Sequence, residues 1–203
     1  MNYFVTGIDT DSGKTLVSAI LCEALQADYW KPVQAGLPLD RDTVRGLISD
    51  PSIKLHDEQY FLKFPASPHA AAKLEDISIE MDCFTLPTTQ KSLIIEGAGG
   101  CLVPLNNENF VIELAERFQC QVVLVADLYL GSINHTLLTI SELRKRNLDV
   151  KGIIFNGERN PASEDIILHH AGMRCLLRIE REKEITREIV KHYADKLLIN
   201  WNG

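Results

Sequence analysis

Short apolar runs alternate along this chain with segments whose apolar residues recur every three or four positions. Tyr3-Phe4-Val5 is the first run, and Val17, Ile20, Leu21, Ala24 and Leu25 follow at the spacing of one helix face. Tyr29-Trp30 opens a second run. Leu93-Ile94-Ile95 is a third, followed by a helical pattern at Val111, Leu114, Ala115 and Phe118. A fourth runs from Gln121 to Ala126, and its helix carries Ile133, Leu137 and Ile140. Gly152-Ile153-Ile154-Phe155 is a fifth. Leu176-Leu177-Arg178-Ile179 is a sixth, with Ile185 and Ile189 in a last helix. Continuous β-branched runs suit strands covered on both faces. Strands separated by helices need right-handed crossovers, so the pattern predicts an α/β fold with a doubly wound, mainly parallel sheet. Between 50 and 91 the pattern is weak. Pro51, Pro65, Pro68 and Pro87 interrupt it, Ile77, Ile79, Met81 and Cys83 alternate like a strand, and helix and strand both stay open there.

Length and composition narrow the class. The 203 residues, 45% of them hydrophobic, can bury one sizeable core, which predicts a single domain over 1–203. A net charge of -7 without a long basic run argues against a nucleic-acid partner, because such binding relies on Lys and Arg neutralising phosphates. No apolar run approaches the roughly 18 residues needed to span a bilayer, and no signal peptide is evident, so neither a membrane partner nor export is expected. Cys22, Cys83, Cys101, Cys120 and Cys175 are dispersed without a C-x-x-C pair, which predicts buried thiols in a reducing, cytoplasmic setting.

The most specific chemistry is Gly7-Ile8-Asp9-Thr10-Asp11-Ser12-Gly13-Lys14-Thr15, between the first strand and the first helix. A P-loop needs that placement. Backbone N–H groups and the helix N-terminus wrap phosphates, Gly13 lets the backbone approach, Lys14 reaches the β/γ oxygens and the Thr15 hydroxyl ligates Mg²⁺. The loop has five residues between its glycines where the general pattern has four.

Open α/β sheets bind ligands beyond the carboxyl ends of their strands. There the second run ends at Lys31, the third at Glu96, the fourth at Asp127 and the fifth at Asn156. Glu96 suits a hard cation opposite Thr15, and Asp42 is a candidate second carboxylate with Asp40 a close rival. The Asn156 amide can read a purine edge. Asn156-Gly157-Glu158-Arg159 lacks the guanine-reading Asn-Lys-x-Asp, which favours ATP over GTP.

In this order the motifs resemble the dethiobiotin synthetase family, over most of the chain. The long P-loop, Lys31-Pro32-Val33-Gln34-Ala35-Gly36, Ser67-Pro68-His69-Ala70-Ala71, Glu96-Gly97-Ala98-Gly99-Gly100 and Gly131-Ser132-Ile133-Asn134-His135 carry it. The resemblance implies a P-loop NTPase-like cyclo-ligase and a homodimer. Its substrates would be 7,8-diaminononanoate, CO₂ or bicarbonate, and ATP, with Mg²⁺ as cofactor. It implies catalytic roles for Lys31 and Lys14 and metal ligands at Thr15, Asp42 and Glu96. ATP contacts fall at Asp11, Ser12, Gly13, Lys14, Thr15, Leu16, Asp42, Glu96, Gly97, Ala98, Gly99 and Asn156. Substrate contacts fall at Thr10, Asp11, Lys31, Ala35, Gly99, Ser132, Ile133 and Asn134, the last three reaching the neighbouring subunit.

The chain departs from the family at four places: Ala35 for Ser or Thr, Gly157 for Asp, Glu180-Arg181-Glu182 for Pro-Trp-Leu, and Asp11 for Glu. A MinD/ParA-like ATPase switch is the rival reading, but Ile8-Asp9-Thr10 lacks that group's early lysine. A related amidoligase on another substrate and a nucleotide binder without turnover are further alternatives.

Overall fold

The computed structural model describes residues 1–201, so the last two residues of the expected 1–203 domain lie outside it. Strands β1 (Asn2–Gly7), β2 (Asp28–Trp30), β4 (Leu55–His56), β6 (Leu93–Gly100), β7 (Gln121–Asp127), β8 (Val150–Asn156) and β9 (Cys175–Ile179) form one sheet. Its order is β4-β2-β6-β1-β7-β8-β9 and every pairing in it is parallel. β3 (Val33–Ala35) and β5 (Tyr60–Leu62) make a separate two-stranded parallel sheet. The chain winds from β1 out to one edge and back to β6, then to the other edge through β7, β8 and β9. The reversal lies around β1, which puts a ligand crevice at that strand's carboxyl end.

Helices cover both faces. Period-2 alternation sends Tyr3 and Val5 to one side and Phe4 to the other. On the first side α1 (Lys14–Leu25), α2 (Asp40–Leu47) and α7 (Arg187–Trp201) pack through Val17, Ile20, Leu21, Val44, Val190 and Leu197, all fully buried. Each such aliphatic side chain contributes about 1.5–3 kcal/mol by leaving water. On the second side lie α3 (Pro68–Leu74), α4 (Glu113–Arg117), α5 (Ser132–Lys145) and α6 (Pro161–Ala171). Sequence-visible caps set some helix ends. Asn160 accepts the Ser163 N–H ahead of Pro161, and left-handed Gly172 closes α6.

The segment between 50 and 91 holds β4, β5, α3 and one 3₁₀ turn at Met81–Cys83. The alternation at 77–83 pairs with no strand. Ile79 and Phe84 are buried and pin an irregular segment to the second core cluster, while Ile77 points out. One expectation for the cysteines is corrected: Cys22, Cys101 and Cys120 are buried and Cys175 partly so, but Cys83 is exposed. It sits on the short 3₁₀ turn rather than on an inward strand position. No helix among the described residues is long and apolar enough to cross a membrane.

Candidate active site

The P-loop leaves β1 at Gly7 and enters α1 at Gly13, which takes the left-handed φ of 96° that glycine alone adopts freely. A Cβ on Gly7 would collide with the Ser12 hydroxyl, and one on Gly13 with the Asn156 amide. Gly7 is therefore required by close approach and Gly13 by its backbone conformation. The loop holds itself closed: Ser12 Oγ donates to the Asp9 carbonyl at 2.9 Å, and Asn156 Nδ2 donates to the Ser12 carbonyl at 3.0 Å. Lys14 Nζ lies across the loop, donating to the carbonyls of Asp9 at 2.8 Å and Thr10 at 2.6 Å.

Opposite stands Glu96, on β6. Its neighbours set its aim, because β1 and β6 slip register there from Val5–Glu96 to Gly7–Gly100, bulging the Gly97-Ala98-Gly99 stretch. Glu96 Oε1 accepts from Thr15 Oγ1 at 2.9 Å and Lys31 Nζ at 3.2 Å, and Oε2 accepts from the Tyr29 hydroxyl at 3.0 Å. Lys31, buried behind Pro32, also pairs with Asp40 in the first turn of α2. Gln34 fixes that turn: its Oε1 accepts the Asp40 N–H at 3.3 Å, and its Nε2 donates to the Gly36 carbonyl at 3.3 Å.

The two lysines are tuned in opposite directions. Burial lowers Lys14 to about 8, with the Lys31 charge pushing the same way against Glu96. Burial also works against the Lys31 cation, but Glu96 and Asp40 outweigh it and hold its pKa above the ordinary value. Burial would raise Glu96; Lys31 and the surrounding donors prevail, and its pKa falls. Burial dominates for Asp40, whose pKa rises despite Lys31.

These groups border a cavity of about 660 Å³. Of the residues singled out in the sequence, Thr10, Asp11, Gly13, Lys14, Thr15, Lys31, Ala35, Glu96, Ala98 and Gly99 line it. Ser12, Leu16 and Gly97 do not line it, and Asn156 braces the loop rather than lining the cavity. Asp42 is not brought in: it is exposed on α2, and Asp40, two residues earlier on the helix, occupies the cleft. Ser132, Ile133 and Asn134 open α5 but do not line this chain's cavity. Tyr29 and the bracing role of Gln34 escaped sequence reasoning. Tyr29 reads as a core strand residue, and only its place two positions before Lys31 pointed toward the site.

A second cavity of about 400 Å³ adjoins the first, sharing Thr10 and Val103, and runs between the P-loop and α5 past His135 and Leu138. Leu102 and Leu138 are exposed in its lining, and Leu130 and Ile133 are exposed at the start of α5, Leu130 completely.

Among solved structures the chain is similar to a putative plasmid partition protein from Borrelia burgdorferi bound to AMPPNP. The TM-score is 0.57 at 11% identity, covering 99% of this chain and 97% of that one. It is also similar to the septum site-determining protein MinD of Pyrococcus horikoshii complexed with Mg-ADP, with TM-score 0.54 and 14% identity over 98% and 95%. Such low identity speaks for the fold alone. Fold and loop together define a P-loop NTPase-like protein. The family model described as an AAA domain matches residues 1–189. The ATP-dependent dethiobiotin synthetase BioD of Cytophaga hutchinsonii is 57% identical over 201 residues, covering 98% of each chain. That of Christiangramia forsetii is 44% identical over 96% of this chain and 95% of its own. The chain belongs to the ATP-dependent dethiobiotin synthetase family.

Proposed function

We propose that the protein closes the ureido ring of dethiobiotin from 7,8-diaminononanoate, CO₂ and MgATP. The observation that carries this reading is the meeting of Lys14, Thr15, Lys31 and Glu96 on one cavity, in a chain of this family. One substrate amine attacks CO₂ and loses a proton, giving a carbamate. A carbamate oxygen takes the γ-phosphoryl group, ADP leaves, and a carbamic–phosphoric anhydride forms. The second amine then attacks the carbonyl carbon, and phosphate departs as the ring closes.

This chemistry is mostly positioning and charge neutralisation. Lys14 and the loop amides hold the β- and γ-phosphates. Lys31, kept cationic by its two carboxylates, faces the transferring group and the carbamate. The Asn156 amide, at the carboxyl end of β8, is within one side chain of the loop and is the candidate reader of adenine. Asp11, Thr10, Ala35 and Gly99 border the space left for the diamine.

The oxygen donors of Thr15 and Glu96 fit Mg²⁺, a hard cation usually held by one or two carboxylates together with phosphates. Bound there, Mg²⁺ would neutralise charge on the phosphates. Asp40, already in the cleft, is the better-placed second carboxylate, ahead of Asp42.

The exposed apolar rim and the position of Ser132, Ile133 and Asn134 outside the chain's own cavity support a homodimer, with α5 of one copy completing the diamine site of the other. Free thiols suit the cytoplasm. Purified protein given diamine, bicarbonate and MgATP is expected to yield dethiobiotin, detected by mass. ATP hydrolysis with no diamine-dependent product would sink the reading and favour a switch ATPase.

A further inference from the structure

We propose that Tyr29 is a positioning residue that fixes the Glu96 carboxylate for the metal–nucleotide complex; the inference rests on the metal reading above. Tyr29 on β2 pairs in register with Ile94 on β6, so Glu96, two residues on, projects from the same face. A tyrosine is long enough to reach such a diagonal neighbour. Its hydroxyl meets Glu96 Oε2 at 3.0 Å, while Thr15 and Lys31 both meet Oε1. The two oxygens are thus divided. One faces the hydroxyl that would share the cation, and the other is held from behind.

Both side chains are sealed from water: Tyr29 is 0% exposed and Glu96 1%. No solvent reaches Glu96 to replace a lost donor, the buried Ser18 hydroxyl beside it makes no hydrogen bond, and a carboxylate oxygen left bare there is costly. A phenylalanine would fill the core equally well, because the ring belongs to the first hydrophobic cluster. The hydroxyl is the part that core packing alone does not require. Outer groups that orient metal ligands typically change metal affinity by tenfold to a hundredfold.

Tyr29→Phe separates the two roles by keeping the ring. Mn²⁺ is titrated into protein with ADP and followed by loss of the free-ion paramagnetic resonance signal. ADP binding in excess chelator is measured in parallel. The variant is expected to bind Mn²⁺ about tenfold to a hundredfold more weakly, with metal-free ADP affinity unchanged and turnover restored by high Mg²⁺. Unchanged Mn²⁺ affinity overturns the proposal. So does an equal weakening of metal-free ADP, which would mean that the hydroxyl holds up the whole site. Wild-type protein that binds ADP but no Mn²⁺ would overturn the metal reading itself, and the brace with it, whatever the fate of diamine turnover.

Discussion

The floor of the cleft is closed by contacts within one chain, whereas the rim along α5 presents apolar side chains to water. On the floor, Glu96 accepts from Thr15, Lys31 and Tyr29, and Lys31 is shared with Asp40. The ends of β2 and β6 hold these side chains in place. On the rim, exposed Leu102 and Leu138 line a groove, and Leu130 and Ile133 are exposed at the start of α5. The contrast teaches where each half of the chemistry is stored. On the reading proposed above, phosphate handling belongs to the monomer and the diamine site is completed by a second copy.

The largest effect expected on the floor comes from Lys31→Ala. Turnover should fall by at least about 10²–10³-fold, the usual cost of removing a donor aimed at developing charge, while nucleotide still binds. Equal loss of nucleotide binding would show Lys31 to be structural, and unchanged turnover would remove it from the chemistry.

The rim is tested by pairing Leu130→Asp with Leu138→Asp. Loss of an apolar hot spot of about 2 kcal/mol should weaken the dimer roughly 30-fold, read by sedimentation, and diamine-dependent turnover should fall with it. ATP binding should stay within about twofold. A monomeric variant with full turnover would break the comparison, because the monomer would then be complete.

The smallest effect sharpens the floor. Asp40→Asn is expected to raise the Mg²⁺ needed for half-maximal turnover by about tenfold, and Asp42→Asn to leave it within about twofold. The reverse ranking would mean that α2 turns when nucleotide enters and presents Asp42 instead.

Much of the floor is legible in the sequence. The strand–loop–helix grammar placed Gly7 to Thr15 at a crevice, and apolar runs ended at Lys31, Glu96 and Asn156. These are local signals, since strand ends and loop spacing are written in consecutive residues. The choice between Asp40 and Asp42 was not local. Both lie in one polar turn, and only the direction in which α2 leaves Pro38 sends one into the cleft and the other to solvent. Nor was the 77–83 segment local: its alternation resembles a strand, but no neighbour offers it a ladder.

The sequence alone thus determined the α/β order, the phosphate loop and the family, because periodicity and motif spacing survive without contacts. The tertiary structure decided how those pieces meet. Register between β2 and β6 carries the Tyr29 hydroxyl to Glu96, the bulge after Glu96 brings Ala98 and Gly99 to the cavity, and the carboxylates of Glu96 and Asp40 hold Lys31 above its ordinary pKa against the burial that lowers Lys14. Those are properties of distance and of exclusion from water between residues far apart in the chain, which no local pattern encodes.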